Sequence, residues 1–239
     1  MLLLTPLRHG VKLVNDVRPA NEPSLNSAAE TRPRLRGYVH LGAAVVAPGA
    51  LAVLLLIADS PRDFVGSSIF GASLILMYTT STAYHLIPWS AANRSVARAL
   101  DHSMIFVLIA GTCTPFALKL LYNGWGIAVT SVVWVLAGAG MLLNIIAPNA
   151  PRRLRVSIYI AIGWFGLVPV ILGAASMTTA AVMLLTAGGL LYSAGGVIYA
   201  IRWPDPIPGV FGFHEVFHSM VVLASGVFWF VIATHVLAL

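Results

Sequence analysis

Seven apolar runs dominate this chain, each close to the roughly 20 residues that a helix needs to cross a hydrocarbon core. They extend approximately from Gly37 to Ala58, Val65 to Leu86, Ser95 to Leu121, Trp125 to Ile146, Leu154 to Ala174, Ala180 to Ile201 and Phe211 to Leu237. Inside lipid no water can pair with backbone N–H and C=O groups, so each run must satisfy its own, and a helix does this within one segment. The expected fold is therefore an all-α membrane protein, a seven-transmembrane helix bundle occupying residues 37–239. Composition agrees: 59% of the 239 residues are hydrophobic and 9% are charged, against about 25% charged in a soluble domain.

A formal charge of +6 would suit a nucleic-acid partner, but the position of the basic residues assigns it differently. Arg8, Lys12, Arg18, Arg32, Arg34 and Arg36 precede the first run. Arg94 and Arg98 follow the second, Arg152, Arg153 and Arg155 follow the fourth, and Arg202 follows the sixth. Alternating spans bring all twelve to one side and leave Arg62 and Lys119 on the other. Cytoplasmic loops carry the excess of Lys and Arg, so a cytoplasmic N-terminus and an outside C-terminus are expected, with no nucleic acid required. Residues 1–36 are polar, aperiodic and Pro-containing, which predicts a largely disordered basic cytoplasmic tail; "MLLLTPL" is too short for a secretory signal. Pro48, Pro115 and Pro169 predict local kinks, and Gly188, Gly189, Gly195 and Gly196 predict close helix packing. Cys113, the single cysteine, reads as a small packing residue.

Ionisable groups inside spans are costly and mark functional sites by default. Among the acids only Asp101 and Glu215 fall there, and among the histidines His85, His102, His214 and His218, with His40 and His235 at span ends. The second span ends on the cytoplasmic side, and the third and seventh begin there. His85, Asp101, His214 and His218 consequently share one depth. Three neutral imidazoles suit zinc with a fourth position left for water. Ser81, four residues before His85, lies on the same helical face, placed either to bind the zinc water or to steady an oxyanion, while Asp101 is placed either as general base or as a hydrogen-bond acceptor behind the ligands. The competing reading pairs Asp101 with Arg98 or Arg94. His102 points away from Asp101 and reads as structural.

"HEVFH", from His214 to His218, also spells the zinc-protease pattern. That reading needs a third ligand downstream, yet no Asp or Glu follows His218, and His235 lies about 25 Å further along the helix. Glu215 is rotated about 100° from His214 and need not face the metal.

Ser81 and His85 in "STAYH", Asp101 in "LDHSMIFVLIAGTCTPF", and His214 and His218 in "HEVFH" occur in that order at the ends of the second, third and seventh spans. The set resembles the hemolysin III and progestin/adipoQ receptor family, which includes the adiponectin receptors, over nearly the whole chain from Gly37. The resemblance implies a zinc ion held by His85, His214 and His218, with Asp101 reaching it through water and Ser81 close by. A wider likeness to alkaline ceramidases implies hydrolysis of an amide or ester bond in a membrane lipid; a receptor or sensor with structural zinc, and a membrane-perturbing hemolysin, are the alternatives. The short N-terminal tail is similar to that of the bacterial hemolysin III branch, which implies a plasma-membrane location. Protein partners stay unassigned.

Overall fold

The computed structural model describes residues 33–121 and 124–239. Eight α-helices follow one another among them: α1 (Tyr38–Leu56), α2 (Pro61–Leu86), α3 (Ala91–Leu120), α4 (Trp125–Ile146), α5 (Arg152–Phe165), α6 (Val168–Leu172), α7 (Thr179–Ile201) and α8 (Phe213–Val231). They make seven segments long and apolar enough to cross a membrane, the fifth being α5 and α6 together (Arg152–Leu172) and the seventh running from Phe213 to Val236. The chain is a multi-pass integral membrane protein. Residues 1–32 of the expected tail lie outside the described residues; residues 33–36 are held by Arg34 and Leu35 N–H groups donating to the Gly209 and Val210 carbonyls at 3.1 Å.

Short polar signals set the helix boundaries. Ser60, Ser90 and Thr178 cap α2, α3 and α7 by accepting from the N–H of Asp63, Asn93 and Ala181, which satisfies donors that the first turn leaves orphaned. Pro61 occupies the first position of α2, where it has no helical hydrogen bond to forfeit. Pro48 and Pro115 lie inside continuous helices. The fifth crossing is instead broken at Gly166 and Leu167, and Pro169 starts the short second piece near its N-terminus. At that position the missing N–H of Pro169 forfeits no helical hydrogen bond.

α3 occupies the middle of the bundle, with 72% of its apolar window buried against 17% for α1. Phe70 and Met77 of α2, Phe116 of α3, Leu185 of α7 and Phe228 of α8 form the main core, and a second cluster joins Phe106 and Cys113 of α3 to Val133 of α4 and Ile162 of α5. The outward faces of α1 and α4 carry exposed Val45, Val46, Ile127 and Val135, the surface expected of lipid-facing helices. α7 uses its glycines on two sides. A Cβ at Gly188 would lie 2.8 Å from Phe228, and one at Gly195 2.9 Å from Met220, both on α8; at Gly189 and Gly196 the neighbours are on the α5–α6 crossing. Small residues permit this approach, which replaces the missing hydrophobic drive between helices in lipid.

Alternation of the crossings brings the C-terminus of α2 and the N-termini of α1, α3, α5 and α8 to one end. At the other end Lys119 Nζ donates to Asp63 Oδ2 at 3.0 Å, and Ser60 Oγ donates to the same oxygen at 2.7 Å. That pair staples the start of α2 to the end of α3.

Candidate metal centre

His85 sits in the last turn of α2. The helix stops there because Ile87 precedes Pro88 and is forced into extended geometry (φ −79°, ψ 133°), and Trp89 turns back to donate its indole N–H to the Ala83 carbonyl at 3.0 Å. α8 begins at Phe213, whose N–H donates to Asp205 Oδ1 at 3.1 Å, while Glu215 Oε2 accepts from the Gly212 N–H at 2.8 Å. Glu215 is 1% exposed and faces its own helix start. Its role in "HEVFH" is thus that of a helix cap, with Arg36 Nε 3.9 Å from its other oxygen.

With Glu215 turned back to the helix start, His214 and His218, one turn apart, are buried within the bundle. His85 Nε2 and His214 Nε2 are 3.1 Å apart, and ligand atoms of His85, His214 and His218 all lie within 4.8 Å of one another. Two nitrogens on a tetrahedral ion with bonds of about 2.05 Å would be separated by about 3.3 Å, so the His85–His214 pair already stands near that spacing, and the three residues together could hold a divalent metal. All three donors are imidazoles, the ligand type common to zinc and its neighbours.

Asp101 and Ser81 adjoin the triad. Asp101 is 7% exposed and Ser81 is wholly buried. The Asp101 carboxylate is within reach of the Ser81 hydroxyl, yet Asp101 Oδ1 and Ser81 Oγ complete no direct hydrogen bond. Buried polar atoms are rarely left in that state without a ligand or water to satisfy them. Neither Arg94 nor Arg98 forms an ion pair with Asp101 among the described residues. His102 lines the same polar pocket as Asp101, its Nε2 lying 3.2 Å from the Tyr199 hydroxyl.

His85, Asp101 and His214 open into a polar vestibule of about 260 Å³ at this end of the bundle. Tyr199 borders both the vestibule and a separate apolar cavity of about 110 Å³ between α3, α5, α7 and α8, walled by side chains that include Ile105, Ile109, Trp164 and Phe217.

Comparison with known proteins follows the same stretch of chain: a family model described as Haemolysin-III related matches residues 28–229. The chain belongs to that family. The curated relatives include the "Hemolysin-3 homolog" of Bacillus subtilis (strain 168), 36% identical over 124 residues, covering 51% of this chain and 58% of that protein. The "Hemolysin-3" of Bacillus cereus is 31% identical over 130 residues, covering 53% of this chain and 59% of that protein. The matched regions therefore span under two thirds of the relatives' own lengths.

Within this haemolysin-III related chain, His40 is the residue that span assignment alone passed over. It is fully buried, and its ring stacks on His218 with centroids 3.8 Å apart and planes 2° from parallel, while Tyr78 packs on it at 5.2 Å. The signal was present in the sequence: His40 lies in the first turn of α1, at the same depth as the triad. The arginines of the vestibule are the second omission, since a count of charges per side says nothing about which way they converge.

Proposed function

We propose that this protein is a zinc-dependent hydrolase that cleaves an amide or ester bond of a membrane lipid. The observation that carries the proposal is the conjunction of three imidazole donors within 4.8 Å of one another with a buried, unpaired carboxylate oxygen on a neighbouring helix. His85, His214 and His218 would hold the ion. When bound, zinc supplies Lewis-acid chemistry at that position.

The remaining work belongs to the chain's own groups. Asp101 takes the proton of the attacking water at its carboxylate and returns it to the leaving amine or alcohol, so that the carbonyl carbon gains oxygen and the departing group gains hydrogen. Asp101 is suited to this because it is the carboxylate that lines the vestibule. Ser81 steadies the carbonyl oxygen as charge develops on it. The lipid's acyl portion is assigned to the apolar cavity below Tyr199, which keeps water from that part of the site. We place this end of the bundle on the cytoplasmic side of a bacterial plasma membrane, following the excess of Arg around it.

Two measurements on purified protein test the scheme. Metal analysis should find about one zinc per chain in the native protein and near none in His218→Ala. Incubation with a panel of lipid amides and esters should give product that Asp101→Asn lowers by about 10²- to 10⁴-fold, the usual contribution of a positioned base. Zinc bound but no product from any substrate, native or variant, would turn the reading into that of a sensor whose ion ties α2 to α8. A pore-type hemolysin is disfavoured because the cavity between the two ends of the bundle is walled mostly by apolar side chains, whereas a conducting path is polar along its length.

A further inference from the structure

The vestibule above the histidine triad has an unusual wall. Arg36, Arg94, Arg98, Arg152 and Arg155 all line it, from three separate segments, and Asp101 is its single carboxylate. A membrane protein gathers arginines on one side for topological reasons, and that accounts for their presence at this end. It does not account for their convergence. Arg34, Arg153 and Arg202 lie at the same end and stay out of the pocket, so the five inside form a selected set.

Two of the five are held by local bonds that aim them. Arg152 Nη1 donates to the Tyr199 carbonyl at 3.2 Å with its guanidinium 4.7 Å above the Tyr199 ring, and Arg155 Nη2 donates to the Ala150 carbonyl at 2.9 Å. Arg94 and Arg98 follow one another at i and i+4 on α3, and Asp101 continues the same face a turn later. None of Arg94, Arg98, Arg152 or Arg155 forms an ion pair with a carboxylate among the described residues; Arg36 alone approaches one, at 3.9 Å. The nearby acids are already committed, Asp205 and Glu215 to backbone N–H groups at the start of α8. Five like charges around one concavity repel each other, and a bound divalent ion at the triad would add to the excess. Such a wall is stabilised by an anion.

We propose that the vestibule binds a phosphate monoester group directly above the triad. Guanidinium groups match phosphate in planar two-point contacts, and a phosphate offers enough terminal oxygens to engage several of them at once, whereas a carboxylate offers two. Tyr199 borders both the vestibule and the apolar cavity, and that adjacency makes an amphiphile with a phosphate-bearing head the substrate class. In naming a substrate the inference rests on the hydrolase reading; the phosphate site itself can be measured without turnover.

The test titrates zinc-loaded protein in neutral detergent with dihexanoyl phosphatidic acid, dihexanoyl phosphatidylcholine and inorganic phosphate, by calorimetry. The phosphatidic acid should bind at least about tenfold more tightly than the choline lipid, with an affinity that falls as salt rises. The Arg94→Gln/Arg98→Gln double variant should lose that preference while its zinc content and helical circular dichroism hold. Competition by inorganic phosphate at similar concentration would identify the phosphate alone as the ligand; failure to compete would identify the lipid headgroup; either supports the site. Should the double variant not fold, Arg94→Lys/Arg98→Lys keeps the charge, removes the planar fork, and should lower the preference severalfold. Equal binding of the two lipids by native protein, or a preference unchanged in a folded variant, overturns the proposal. Protein that binds phosphatidic acid selectively but holds no zinc would sink the hydrolase reading and leave the phosphate site standing.

Discussion

Replacing Lys119 with Met tests the staple at the end of the bundle away from the histidines. Asp63 has a side chain 1% exposed, and Lys119 one 20% exposed, with Nζ 3.0 Å from Asp63 Oδ2. Without the ammonium, the carboxylate keeps only the Ser60 hydroxyl at 2.7 Å, and its Oδ1 already lacks a partner. Removing one member of a fully buried pair costs about 3–5 kcal/mol. Lys119 still reaches solvent, so we place the loss at the low end, about 2–3 kcal/mol. Asp63→Leu together with Lys119→Met removes both charges, and the double variant should recover to within about 1 kcal/mol of native. The N-terminal cap of α2 survives these changes because Ser60 accepts from the Asp63 backbone N–H. Equilibrium unfolding in mixed detergent micelles, followed by circular dichroism across the four proteins of the cycle, yields the coupling energy. A coupling under about 0.5 kcal/mol, the level of an exposed pair, would refute the assignment of this contact as a buried tie between α2 and α3.

Further outcomes concern packing and orientation. Gly195→Ala, whose Cβ would meet Met220 at 2.9 Å, should destabilise the protein by about 1–3 kcal/mol in the same unfolding assay, whereas Gly189→Ala, with its nearest neighbour at 3.5 Å, should stay within about 0.5 kcal/mol of native. His40→Phe keeps a ring against His218 and should retain zinc, while His40→Ala should weaken zinc affinity by about tenfold, as loss of a ligand's supporting neighbour does; competition with a chelator measures both. In a Cys113→Ala background, Ala92→Cys should react with an impermeant maleimide only from the cytoplasmic side and Asp59→Cys only from outside, both positions being exposed and at opposite ends of the bundle.

Hydropathy read the crossings well because lipid imposes a length and a polarity on each. The fourth crossing coincides with the expectation at both ends, Trp125 and Ile146, and the first differs by one residue at its start and two at its end. The fifth was legible as a run but not as two helices, since apolarity is blind to the backbone demands of Gly166 and Pro169. At the site, the common depth of His85, Asp101, His214 and His218 followed from counting crossings, which specifies height along the membrane normal. It does not specify azimuth. For that reason the stack of His40 on His218, and the turning of five arginines toward one pocket, required the packed bundle to become visible.

The first helix carries one further implication. Its buried residues are His40, Ala47 and Leu54, a single position every seventh residue, and the rest of its length faces outward or is half-covered. So narrow a seam leaves much of the helix against acyl chains, and its tilt is set where it packs on α2 and where the Ala50 carbonyl accepts the Trp229 indole N–H of α8 at 2.9 Å. Detergent replaces those acyl chains on extraction, so the stack of His40 on His218 is the contact to check before a low zinc affinity is read as a property of the triad itself.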